Sequence, residues 1–308
     1  MLDDIALFIN LYEAKSFRKC AELLNIRSST VSKHIIELEN KLGKELIKRT
    51  TRTFEPTVYG TYVYNNLKNL PVFAESILKS YSTKRKNYEV GTLNITLATS
   101  ISYELVSPYI DEFIEFNKNI TLNLNFLANI YKWPSENTNI VLGSSSLNDE
   151  HLHNRFLRTE YSRLYCRKEY NLKYGIPETP AELINHKLIG AFDIYSDIPI
   201  NTIVMKNLKN NSDFLLDTSR VPIRTNNMLH MRKIGLEANY IFGSFDTLVA
   251  RDIQNGMVIP VLPEWYVFKT DFYLTTKKSL TALEQSFIDF IYRCFSKSYN
   301  KIMTNLID

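Results

Sequence analysis

Cysteine is scarce in this sequence. Cys20, Cys166 and Cys294 are the only three in 308 residues, a number and spacing that suit neither a disulfide framework nor a zinc site. Histidine is nearly as rare, at five. With no phosphate-cradling glycine loop and no nucleophile motif, the chain offers little to an enzyme reading. The pair His151 and His153 in "EHLH" is a weak metal spacing, and no metal, cofactor or catalytic residue is assigned. No apolar run approaches the roughly 18 residues of a membrane span. The opening "MLDDIALF" has acids where a secretion signal has bases. A cytoplasmic protein with no membrane partner is expected. Positive excess is missing from the later two thirds: residues 89–308 hold 22 Lys/Arg against 24 Asp/Glu, whereas residues 1–88 hold 15 against 9. A polyanion partner is therefore expected at the N-terminal end, and only there.

What is present begins with length and core. At 308 residues, 44% apolar and 23% charged, the chain is long enough for about two packed domains. Ile5, Phe8, Ile9 and Tyr12 recur at helical spacing. Ser16 then reads as a cap for a short helix, "FRKCAELLN", burying Phe17, Cys20, Ala21 and Leu24. After the tight connection "NIR", Val31, Ile35, Leu38, Leu42 and Leu46 form one apolar stripe, with Gly43 ending its regular part. Two helices joined by a short turn, the second longer, make a helix-turn-helix.

The second of these helices opens on "RSSTVSKHI". One helix cap needs one hydroxyl, and here there are four. On a helical wheel Ser29, Lys33 and Asn40 point away from the apolar stripe, flanked by Ser32 and Thr30. Small hydroxyls let a backbone approach closely and bond to bases or phosphates. Ser28, Ser29, Thr30, Ser32 and Lys33 are the candidate contacts to double-stranded DNA. In "KRTTRTFEPTVYG" that follows, Arg49 and Arg52 sit where a wing would reach a minor groove, and Thr57 can cap the next helix. Over 58–88, Tyr59, Val63, Leu67, Leu70, Phe73, Ile77 and Tyr81 make a long stripe, which a second chain would cover. Pro71 should kink it. "STKRKNYEVG" looks like a polar hinge.

Phe8, Ser16, Phe17, Ala21, Leu24, Val31, Ser32, Ile35, Leu38, Glu39, Leu42, Gly43, Leu46, Arg49, Arg52, Thr57 and Gly60 together resemble the winged helix-turn-helix of the LysR-type transcriptional regulators. The departures are Ser28 for a usual Gln, Ile47 for Phe, Pro56 for Leu and Cys20 for one of a paired Ala. The remainder is similar more loosely. "GTLNITLATS", "ITLNLNFL" and "TNIVLGSSS" read as strands, and Ser100 and Ser102 open a helix through "YELVSPYIDEFIEFN". Alternating strands and helices imply a mixed, largely parallel sheet. The resemblance implies an α plus α/β fold: a winged helix-turn-helix over 1–60, a linker and dimerisation helix with hinge over 61–90, and an effector-binding domain over 91–308. The last is expected as two Rossmann-like subdomains of periplasmic-binding-protein type, the first at 91–162 and 268–308, the second at 163–267.

The resemblance further implies a homodimer or homotetramer, RNA polymerase as partner if the protein activates, and a small-molecule effector between the subdomains. By position the effector candidates are Ser100, Ser102, Ser144, Ser196, Thr225 and Asn226, with the loops around 127–129, 143–145 and 194–196. Ser100 and Ser102, where a strand meets a helix start, suit a carboxylate. One departure bears on this pocket. Where the family carries a glycine-rich loop, this chain has "EANYIFGSFD". Phe242 and Phe245 could plug the cleft and leave an effector-independent regulator. Asn139 also replaces a usual Asp. A thiol redox sensor built on Cys166 is the remaining alternative.

Overall fold

In the computed structural model the described residues are 2–48, 54–68, 91–193, 196 and 198–307. The chain falls into two compact units, Met1–Asn87 with Gln285–Asp308, and Tyr88–Glu284.

The N-terminal unit opens with helices α1 (Leu2–Ala14), α2 (Phe17–Leu23) and α3 (Ser28–Leu42). Ser16 caps α2 as expected: its backbone is extended and its hydroxyl accepts from the Lys19 N–H at 3.4 Å. Leu24 is not buried as expected, because α2 stops at Leu23 and Leu24 becomes the exposed C-cap. Ile5, Phe8 and Leu11 of α1, Cys20 and Ala21 of α2, and Val31, Ile35, Leu38 and Leu42 of α3 share one core. Gly43 ends α3 in the left-handed region at φ 65°, where a side chain would be strained. Leu46 therefore lies past the helix, at the base of the wing, and is still fully buried.

Helix α4 (Val58–Leu67) starts on Thr57, whose Oγ1 accepts from the Gly60 N–H at 2.8 Å and donates to the Glu45 carbonyl at 2.7 Å. Gly60 is required by close approach. A Cβ there would lie 2.0 Å from the Leu46 carbonyl oxygen. Val63 and Leu67, placed by the sequence on a stripe awaiting a second chain, are each 1% exposed within this unit's own core. The start of that stripe is thus spent inside the domain. Pro71 and the stripe from Leu70 to Tyr81 lie outside the described residues.

The second unit is built on a mixed sheet ordered β10-β4-β12-β3-β1-β2, with β9 also on β4. Its strands are β1 (Gly91–Ala98), β2 (Ile120–Leu127), β3 (Ile140–Gly143), β4 (Leu152–Arg167), β9 (Phe242–Phe245), β10 (Val258–Val261) and β12 (Phe268–Lys277). Parallel pairing is confined to β1 with β2 and β3. β12 runs antiparallel to β3 and β4, and β9 and β10 run antiparallel to β4. The sheet is mixed as expected but not largely parallel, since the two long strands β4 and β12 run side by side in opposite directions. Beside it lie a parallel pair, β5 (Ile189–Ala191) with β8 (Ile223–Thr225), and an antiparallel sheet of β6 (Thr202–Asn207), β7 (Asp213–Asp217) and β11 (Trp265–Tyr266).

The helices of this unit are α5 (Thr99–Leu105), α6 (Ile110–Phe116), α7 (Lys168–Tyr174), α8 (Met228–Ala238) and α9 (Asp246–Gln254), while α10 (Ala282–Ile307) belongs from Gln285 onward to the first unit. The single helix expected from Ser100 to Phe116 is broken by a 3-10 turn at Ser107–Tyr109. Pro108 lacks the N–H and the space a continuous helix needs. Asn139, the departure from a usual Asp, is fully used: its Oδ1 accepts from the Asn94 N–H and its Nδ2 donates to Glu284, both at 2.8 Å.

Candidate nucleic-acid interface and ligand cavity

Helix α3 presents the hydroxyl cluster much as its wheel requires. The cap position is Arg27, extended and without a side-chain cap bond. None of the four hydroxyls therefore serves as the N-cap. Ser28 and Ser29 are exposed, Thr30 and Ser32 half-buried. Ser32 Oγ donates to the Ser28 carbonyl at 3.1 Å, while the Ser28 and Ser29 hydroxyls make no hydrogen bond among the described residues. Lys33 is 77% exposed and its ammonium lies 3.9 Å from Glu37, a distance at which the pair holds it weakly. Arg49 and Arg52 lie outside the described residues.

Two carboxylates the sequence reading did not single out for a role fix α3 and the wing. Asp4, buried on α1, accepts from His34 Nδ1 at 2.7 Å and from Lys41 Nζ at 3.0 Å, so α3 is tied to α1 at two points. The hydrogen bond from His34, with that from Lys41 beside it, holds the Asp4 carboxyl well below the usual range against the opposing effect of burial. Glu39, also buried, accepts from the N–H groups of Leu46 at 2.8 Å and Ile47 at 3.1 Å. It orients the chain into the wing, where Ile47 bridges Pro56 and Lys48 pairs with Glu55. The sequence signal for both was a lone acid within an otherwise apolar face. Ligating atoms of Asp4, His34 and Glu37 lie within 4.8 Å of one another. Lys41 already occupies Asp4, so this reads as an ion-pair network.

In the second unit a cavity of about 330 Å3 lies among α5, β3–β5, β8, β9 and β12. Ser100, Ser144, Thr225 and Asn226 line it. Ser102 does not: it is fully buried on the inner side of α5, donating its hydroxyl to the Ala98 carbonyl at 2.7 Å. Ser196 does not either, and is held in a local turn by Asp193. The alternative, a cleft plugged by Phe242 and Phe245, is not formed. Phe242 turns onto α8, where a Cβ at Gly235 would lie 2.2 Å from its ring. Phe245 stays in the cavity wall, edge-on to Phe272 at 5.7 Å. The cavity stays open in front of Phe245.

The thiols are buried. Cys166 is 0% exposed and burial pushes it up to about 12, so the thiolate a redox sensor needs is disfavoured. Cys20 is raised by the same cause, and Cys294 is likewise inside. No described helix is long and apolar enough to cross a membrane.

Both halves of this architecture match known proteins. Residues 2–61 match the family model described as bacterial regulatory helix-turn-helix protein, lysR family, and residues 86–294 match the LysR substrate binding domain. The HTH-type transcriptional regulator CrgA of Neisseria meningitidis serogroup B is 26% identical over 275 residues, covering 87% of each chain. Its solved structure has a TM-score of 0.63 at 24% identity, spanning 95% of this chain and 98% of that one. The full-length Vibrio cholerae virulence activator AphB has a TM-score of 0.57 at 18% identity, over 94% and 98%. With a helix-turn-helix in the N-terminal unit and a ligand-sized cavity in the α/β unit, this chain belongs to the LysR family of transcriptional regulators, whose members join a DNA-binding domain to an effector-binding domain.

Proposed function

We propose that this protein reads duplex DNA with the exposed face of α3 and answers to a small molecule held in the cavity. The observation that carries the first half is that face itself: small hydroxyls at Ser28, Ser29, Thr30 and Ser32 beside an exposed, weakly held Lys33. Hydroxyls allow close approach and Lys33 supplies a donor for a guanine edge or a phosphate. Arg49 and Arg52 on the wing add minor-groove or phosphate contact. Residues 61–90 join two copies into a dimer, or a tetramer of such dimers, setting the separation of two recognition helices. The chain works in the cytoplasm as a regulator and not a catalyst. If it activates, it contacts RNA polymerase.

The domain division we propose is 1–60 for DNA, 61–90 for assembly and 91–308 for the effector. Ser100, Ser144, Thr225 and Asn226 face the effector. A salt-dependent mobility shift of the full chain on DNA from upstream of its own gene tests the reading. Retarded complexes that weaken steeply with salt are expected. Binding that is insensitive to Lys33→Ala and to salt would overturn it.

A further inference from the structure

The cavity's lining carries an inference about its ligand, and it rests on reading the cavity as the effector site. Directly paired residues of neighbouring strands share a face of the sheet. Along β4 and β12 these pairs are Ser162 with Phe268, Glu160 with Thr270 and Arg158 with Phe272. That face supplies Ser162, Leu164, Phe268, Thr270 and Phe272 to the lining. Lys269 and Asp271 are the only ionisable residues among the described lining. They pair with Tyr161 and Thr159 on the other face, and the Thr159 hydroxyl donates to the Asp271 carboxylate at 2.5 Å. The pleat therefore turns both charges away.

Two more charges stand on the cavity's own face, but they pair with each other. Arg158 Nε lies 2.8 Å from Glu160 Oε1, both are buried, and Thr247 donates to the same Glu160 oxygen at 2.7 Å. Arg163 pairs with Asp246, and Arg224 is bonded to the carbonyls of Thr218 and Ser219. Much of the rest of the wall is apolar, with Leu164, Leu188, Ile203, Leu216, Phe245 and Val267 all buried.

Several polar side chains of this wall make no hydrogen bond among the described residues, and one of them is buried. Ser162 is 1% exposed and its hydroxyl makes no hydrogen bond among the described residues. Diagonal to it on β9, a Cβ at Gly243 would meet Ser162 Oγ and Met231 Sδ at 3.6 Å and Val267 Cγ2 at 4.0 Å, three cavity residues at ordinary contact.

We propose that the ligand of this cavity is an uncharged, predominantly apolar small molecule whose polar group bonds to the Ser162 hydroxyl, and not a carboxylate. An ionised group leaving water for this wall would find no counter-charge, a loss an apolar body does not suffer. A few placed hydrogen-bonding groups in an apolar wall suit an alcohol, amide or heteroaromatic N–H.

The test uses the full-length protein with matched pairs of probes: benzyl alcohol and benzoate, cyclohexanol and cyclohexanecarboxylate, indole and indole-2-carboxylate. Thermal melting and titration calorimetry read binding. The neutral member of at least one pair should raise the melting temperature in a dose-dependent way and bind more tightly than its carboxylate. Ser162→Ala should weaken that neutral probe by about five- to tenfold, the loss of one hydrogen bond. Gly243→Ala, which places a methyl in the cavity, should weaken it independently, so either variant suffices if the other fails to fold. Carboxylates binding while their neutral partners do not would overturn the ligand class and leave the effector reading standing. No shift from either series would overturn both.

Discussion

At the scale of single residues, the interface depends on a division of labour between exposed and buried charge. Lys33 is exposed and only loosely paired with Glu37, so it can exchange that partner for DNA at little cost. Lys33→Ala should weaken operator binding by about 1–3 kcal/mol if the side chain contacts a base edge, measured by mobility shift at fixed salt. If it contacts phosphate instead, affinity should fall on all sequences and the salt slope should flatten by about one. Asp4 works the other way, buried and doubly bonded to α3. Its carboxyl is held below the ordinary range in the folded state. The stability it contributes is therefore complete above the unfolded carboxylate range, near 3.9, and is lost as pH falls below it. Melting followed by circular dichroism should show a shallower acid limb for Asp4→Asn than for the parent chain.

Among elements, the wing and α4 are locked by contacts that tolerate little change. Glu39 satisfies two backbone N–H groups at the wing base, and Thr57 caps α4 while holding the Glu45 carbonyl. Thr57→Ala should cost about 1 kcal/mol through the lost cap. Gly60→Ala should cost more, because its methyl would meet backbone and not a movable side chain. Denaturant unfolding of the two variants would order them. Equal midpoints would mean that α4 can lift off the wing without cost. Helices α5 and α6 follow the same logic of local chemistry overriding periodicity: one apolar rhythm spans both, and Pro108 divides it.

For the whole molecule, the proposed assembly through residues 58–81 sets the next prediction. Val63 and Leu67 are already committed to the core of the N-terminal unit. Leu67→Asp should therefore unfold that unit by burying a charge, with lost helical signal. Ile77→Asp, further along the stripe, should leave the fold intact and lower the mass seen by light scattering. An unchanged oligomer in Ile77→Asp would place the interface elsewhere. A ligand of the cavity at 100 times its dissociation constant should stabilise the folded protein by about 2.7 kcal/mol.

The family, the helix-turn-helix and the exposed face of α3 were legible because they depend on local spacing. An apolar stripe at Val31, Ile35, Leu38 and Leu42 determines which side of the helix remains for Ser29 and Lys33. The charge contrast between the two ends of the chain is likewise a property of the sequence alone. What the sequence could not determine were the outcomes set by distant neighbours. Ser100 and Ser102 are two residues apart, yet only Ser100 reaches the cavity, because Ser102 turns back to the carbonyl at the end of β1. Phe242 and Phe245 looked like a common plug, but Gly235 on α8 leaves a socket for one ring and Phe272 on β12 takes the edge of the other. Whether Lys269 and Asp271 charge the cavity was decided by the register of β12 against β4. That register joins residues about a hundred positions apart, and a pairing over that distance leaves no mark in the local pattern of either strand.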